Sequence, residues 1–115
     1  MLAPAFLNVL EFVGRETHQE VTLLTLRTFL YIAQRGVCFQ REIEHYLGLS
    51  NATASRNVSY WTERRFDRNP GLGFVARTED DYDRRQKNLT LTKTGRAFYA
   101  KLKAELEKSG MKEPT

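Results

Sequence analysis

Around residue 48 the chain carries the feature that most restricts its fold. Gln40 to Leu47 is a short helical pattern with Ile43 and Leu47 on its inward side, and Gly48 stops it. Leu49 packs at the turn, and Ser50 is a good N-cap for a second helical pattern running to about Glu63. At 100° per residue Ala54, Val58 and Trp61 share one face of that second helix and must point inward. Two short amphipathic helices joined by Gly48-Leu49-Ser50 read as a helix-turn-helix over residues 40–63.

The flanking segments complete the pattern. Residues 4–14 place Phe6, Leu7, Leu10 and Val13 at helical spacing, with Gly14 as a stop. Thr22 reads as the N-cap of the next helix, and Val21 and Leu26 stand at the positions of a hydrophobic staple. Leu23, Leu26, Leu30 and Ala33 are its expected buried stripe, and Gly36 is suited to a left-handed ending. Val37-Cys38-Phe39 is extended in character. Arg64 to Gly73 reads as a polar loop, Phe74 to Thr78 as a strand, Glu79 to Arg85 as a charged turn and Lys87 to Leu91 as a returning strand. Thr92 caps a last amphipathic helix carrying Phe98, Leu102 and Leu106. The expected fold is mainly α (α+β), one domain over residues 1–115. It is a winged helix-turn-helix whose wing, residues 73–92, forms a two- to three-stranded sheet. Terminal helices at 4–14 and 92–108 are expected to serve dimerisation, because their apolar faces need burial.

Charge distribution says more than the net value of +4. Residues 1–55 are net −1, residues 56–96 net +4 and the remainder net +1, so the positive excess sits in one segment, as a phosphate-binding surface requires. Cys38 is the one cysteine, so no internal disulfide can form, and its apolar surroundings suggest a buried, inert thiol. The first residues lack a basic n-region or cleavage pattern, and no apolar run is long enough to span a membrane. His18 and His45 have no ligand at zinc spacing. Glu79-Asp80-Asp81 with Asp83 lacks the spacing of a calcium loop, so a solvated acidic turn is the expectation. No nucleophile triad or phosphate loop is visible, so neither an enzyme, a metal nor a cofactor is expected. Phe6, Phe12, Phe29 and Tyr31 read as core rather than as a ligand cavity.

Opposite the apolar face of the second helix lie Ala52, Arg56, Ser59 and Glu63, flanked by Thr53, Ser55 and Tyr60. Such a face suits a major groove. Arg56 can donate two hydrogen bonds to guanine, the hydroxyls can reach bases or phosphates, and Ala52 can touch a thymine methyl. The helix N-terminal amides near Ser50, Asn51 and Ala52 favour a phosphate. Arg84 and Arg85, with Lys87 beyond, stand where a hairpin tip can enter the minor groove. Arg64, Arg65, Arg68 and Arg77 read more as ordinary surface charge than as phosphate contacts.

The run Asp83-Arg84-Arg85-Gln86-Lys87-Asn88-Leu89-Thr90-Leu91-Thr92-Lys93-Thr94-Gly95 resembles the wing of the multiple antibiotic resistance regulator (MarR) family, with its Asp-x-Arg turn, Leu-Thr strand end and glycine three residues later. Glu42-Ile43, Leu47-Gly48-Leu49-Ser50 and Ser55-Arg56 are similar to that family's helix-turn-helix. The similarity covers roughly residues 21–105. It implies an ion pair in the wing between Asp83 and Arg85. Arg65 to Gly73 is longer than the compact turn that usually precedes the family's wing.

These features together lead to the expectation of a sequence-specific DNA-binding transcription regulator, a dimeric repressor reading a pseudo-palindromic site. The expected partners are double-stranded DNA and a second copy of the chain, with room for a small-molecule effector and none for a membrane. The expected location is the cytoplasm, on a prokaryotic nucleoid or from a phage. Two other classes remain open: a winged-helix protein-interaction adaptor, and a non-specific DNA-binding accessory factor.

Overall fold

The computed structural model describes residues 2–18, 21–65 and 67–110. Helix α1 (Leu2–Glu16) is followed by α2 (Leu23–Arg35), strand β1 (Val37–Phe39), α3 (Gln40–Leu47), α4 (Asn51–Trp61), β2 (Val75–Glu79), β3 (Lys87–Leu91) and α5 (Lys93–Lys108). The three strands form one antiparallel sheet in the order β1-β3-β2. The fold is a winged helix: three helices packed on a small sheet, with α1 laid along α5.

Helix starts are set locally. Thr22, Ser50 and Thr92 each accept a hydrogen bond from the backbone N–H three residues on, which occupies one of the donors a helix start leaves free. Thr92 also donates to the Gly73 carbonyl at 2.6 Å, fastening the foot of the wing to the start of α5. Gly95 completes that joint, since a Cβ there would run into the Phe74 carbonyl oxygen. The spacing from Thr92 to Gly95 is therefore a packing requirement. Between α3 and α4 the turn needs Gly48, whose φ of +66° lies in the left-handed region.

The core sits between α2, α4, α5 and the inner face of the sheet. Trp61 is fully buried, donates its indole N–H to the Thr25 carbonyl at 2.8 Å, and lies 4.7 Å from the Phe29 ring. Phe98 joins Phe74 at 4.8 Å and Phe12 at 6.0 Å, which ties α5 to the sheet and to α1. Val75, Leu89 and Cys38 cover the inner face of the sheet.

Several expectations about faces need correction. Gly14 does not stop α1, which runs on to Glu16. The face of α1 that meets the domain is Val9, Phe12 and Val13, while Phe6, Leu7 and Leu10 are exposed. In α2 the buried residues are Thr25, Thr28, Phe29 and Ile32; Leu26 and Ala33 pack partly buried against the core, while Leu23, 74% exposed, and Leu30 face out. Buried threonines are tolerable there because their hydroxyls are satisfied: Thr28 donates to the Leu24 carbonyl and Thr25 to Asn57 Oδ1. Gly36 has positive φ but a ψ of −59°, outside the left-handed helical well. Helix α4 ends at Trp61, short of Glu63, and the first wing strand runs from Val75 to Glu79; the Phe74 N–H before it donates to the Trp61 carbonyl.

Candidate nucleic-acid interface

The first turns of α4 are the open part of that helix. Asn51, Ala52 and Arg56 are exposed, and Thr53 and Ser55 are half-buried. Ser50, also exposed, is occupied as a cap: its Oγ accepts from the Thr53 N–H and donates to Thr53 Oγ1, each at 3.1 Å. Asn51 donates to Glu44 Oε2 at 3.1 Å, which links the two helices across the turn.

Ser59 and Tyr60 do not belong to this open face, contrary to the helical-wheel expectation. Ser59 is 3% exposed and its hydroxyl donates to the Arg56 carbonyl; Tyr60 is 8% exposed and its hydroxyl accepts from the His18 N–H. Two segments cover Tyr60. His18 sets its ring edge-on to Tyr60 at 5.7 Å, and Arg65 lies over the Tyr60 ring at 5.4 Å. Surroundings that a wheel does not contain have removed two candidates.

Hydrogen bonds brace the tip of the wing. Asp80 accepts from the backbone N–H groups of Tyr82 and Asp83 and from the Asn88 side chain, so the acidic turn is an internal brace. Asp83 accepts from both the backbone and the guanidinium of Arg85, with Nε at 3.2 Å. That guanidinium holds the Asp83 carboxyl below the usual carboxylate range. Arg84 and Arg85 are both exposed at the tip, and Lys87 pairs with Glu79 at 3.5 Å.

Between α3, the start of α4 and the wing lies a cleft of about 500 Å³, lined by Gln40, Arg41, Asn51, Ser55, Arg77 and Arg85 among others. Glu44 is its acidic member, and Lys87 also reaches it. At its floor Arg77 donates to Gln40 Oε1 at 3.1 Å and to Ser55 Oγ at 3.3 Å, so one guanidinium joins the wing to both helices of the helix-turn-helix. Burial lowers its pKa from the ordinary guanidinium value, yet an arginine remains charged at any physiological pH. Asn51, Ser55, Arg85 and Lys87 are thus brought together with Gln40 and Arg41, which were not singled out from sequence, and with Arg77, which read there as surface charge. A signal for Arg77 did exist. It shares strand parity with Val75 and pairs in register with Leu89, which directs its side chain to the helix side of the sheet.

No protein-family model matches the chain, and no curated protein matches it either. Among solved structures it is similar to MarR, with a TM-score of 0.65 and 22% identity over 95% of this chain and 74% of that one. It is likewise similar to the YusO protein from Bacillus subtilis (TM-score 0.69, 18% identity, 96% and 74%). A mutant MarR from E. coli, complexed with operator DNA, matches at a TM-score of 0.62 and 13% identity over 90% and 69%. These likenesses fix the fold as a MarR-like winged helix.

Proposed function

We propose that this chain is a DNA-binding transcription regulator that seats the start of α4 in a major groove and the wing tip in the adjacent minor groove. The carrying observation is the basic cleft between those two elements. When one element occupies a major groove and its neighbour the next minor groove, the phosphate strand dividing the grooves must cross the gap between them. Here that gap is lined by Arg41, Arg77, Arg85 and Lys87. Arg56 and Ala52 then face base edges, and Arg84 and Arg85 face the minor groove.

The finer reading is a homodimer acting as a repressor on a pseudo-palindromic site. Phe6, Leu7 and Leu10 support the dimer: they form an exposed apolar stripe on α1, beside the Val9, Phe12 and Val13 face that meets the domain. Selection of bound duplexes from a random DNA pool tests the whole reading. A symmetric consensus with two half-sites about one helical turn apart is expected. Recovery of an unenriched pool would refute sequence-specific regulation, and a single asymmetric half-site would refute the dimer.

A further inference from the structure

The segment from Glu63 to Gly71, Phe66 apart, is a second small hairpin. The Gly71 N–H donates to the Glu63 carbonyl at 2.9 Å, Arg64 and Pro70 form an antiparallel bridge, and the Arg65 N–H donates to the Asn69 carbonyl at 2.9 Å. Arg68 takes a φ of +69° at the tip and donates its N–H to the Arg65 carbonyl. The base is locked to the end of α4. Thr62 donates its hydroxyl to the Arg64 carbonyl, and Gly71 sits so close that a Cβ would strike the Thr62 carbonyl oxygen. This is a built element, held at both ends.

Its placement matters more than its rigidity. On α4 the direction of Ala52 and Arg56 continues one turn later at Ser59 and Tyr60. Arg65 of the hairpin covers Tyr60, and Arg56, Ser59, Tyr60, Arg65 and Asp67 line one shallow recess. The hairpin therefore rises on the same side of α4 that Ala52 and Arg56 present. From Ala54, in the middle of the open stretch, to Tyr60 is about 9 Å along the helix axis at 1.5 Å per residue. With the start of α4 in the groove, the hairpin would stand further along the helix, where a phosphate strand bordering the groove could pass the end of α4. Asp67 is paired with Arg65 at 3.4 Å and Glu63 adds one negative charge at the base, whereas Arg64 and Arg68 are exposed and have no ion pair among the described residues.

We propose that the 63–71 hairpin is a second phosphate-binding element, which grips the DNA backbone at the end of α4 through Arg64 and Arg68. The inference rests on the DNA-binding reading above. Its test is a variant carrying Arg64→Gln and Arg68→Asn, asparagine being chosen because it accepts positive φ. The single Arg64→Gln variant leaves the strained position untouched and guards against misfolding. Binding is measured by fluorescence anisotropy at several salt concentrations, on a duplex recovered from a random pool and on random-sequence duplex. The double variant is expected to flatten the slope of log affinity against log salt by about one to two units per subunit, and the single variant by about one. Preference between the two duplexes should persist. The wing variant Arg84→Ala/Arg85→Ala is run alongside. If the wing variant loses slope while both hairpin variants keep the wild-type slope, the hairpin proposal alone fails. Tighter binding by the hairpin variants would also overturn it, by showing the element to be an obstruction. If the unaltered protein binds neither duplex, the DNA-binding reading itself falls.

Discussion

Replacing Arg77 by methionine separates the two things this guanidinium does. It loses the hydrogen bonds to Gln40 and Ser55 that hold wing and helices together, at 3.1 and 3.3 Å. Hydrogen bonds from a charged donor contribute about 1.5–3 kcal/mol each at best. Two facts reduce that here: the cleft is open enough for water to reach the abandoned acceptors, and the half-buried charge no longer has to be desolvated. A net loss of about 1–2 kcal/mol follows, or a Tm lower by about 4–10 °C for a domain of this size. The DNA consequence is separate. If a phosphate crosses the cleft, the variant loses one cationic contact per subunit and its log affinity against log salt flattens by about 0.9 per subunit. Discrimination between base pairs should be kept, since Ala52 and Arg56 are unchanged. Arg77→Lys should retain the slope while losing part of the stability, because an ammonium lacks the planar fork that reaches both acceptors. Calorimetry gives the first number and salt-dependent anisotropy the second. A folded Arg77→Met protein with the wild-type salt slope would refute the placement of the backbone in the cleft, leaving Arg77 as a structural tie only.

Outcomes are expected at four further sites. Arg84→Ala/Arg85→Ala should weaken binding to every sequence and flatten the salt slope by about one to two units per subunit, with circular dichroism unchanged; an unaltered slope would mean the wing points away from DNA. Arg56→Ala should cost about 1–3 kcal/mol per half-site and relax preference at one base position, whereas equal weakening on all sequences would make Arg56 a phosphate anchor. Leu7→Glu/Leu10→Glu should convert a dimer at micromolar concentration into a folded monomer by light scattering, and a monomeric unaltered chain would remove the proposed interface. Burial pushes the Cys38 thiol up to about 11 from an ordinary 9.0, so near neutral pH its thiolate fraction and labelling rate should fall about a hundredfold below a free cysteine. Between pH 9.0 and about 11 the unfolded chain releases this proton and the folded chain keeps it, so stability should decline across that window in the native protein and less so in Cys38→Ala. Fast labelling at pH 7 would contradict the burial.

What the sequence determined by itself was whatever a few neighbouring residues decide. The N-caps Thr22, Ser50 and Thr92, the bounds of Gln40–Leu47 and Lys87–Leu91, and the glycine between α3 and α4 are all local matters of hydrogen-bond supply and backbone sterics. The order of those elements was enough to indicate a winged helix. The tertiary structure decided which face each helix turns inward and which polar residues stay in solvent. Helix α2 is apolar on several sides, so its leucines do not reveal that Thr25 and Thr28 lie inside and Leu23 outside; that follows from Asn57 and the Leu24 carbonyl supplying partners for the hydroxyls. In α1 the same ambiguity left Val9 and Phe12 against α5 and Phe6, Leu7 and Leu10 outside. The candidate interface changed for the same reason. Ser59 and Tyr60 are exposed on an isolated helix and buried in the fold, Tyr60 beneath the distant His18 and the 63–71 hairpin. Arg77 looked like surface charge until strand pairing set it between Gln40 and Ser55. Burial and charge pairing depend on contacts between residues far apart in the chain, and a local pattern does not contain them.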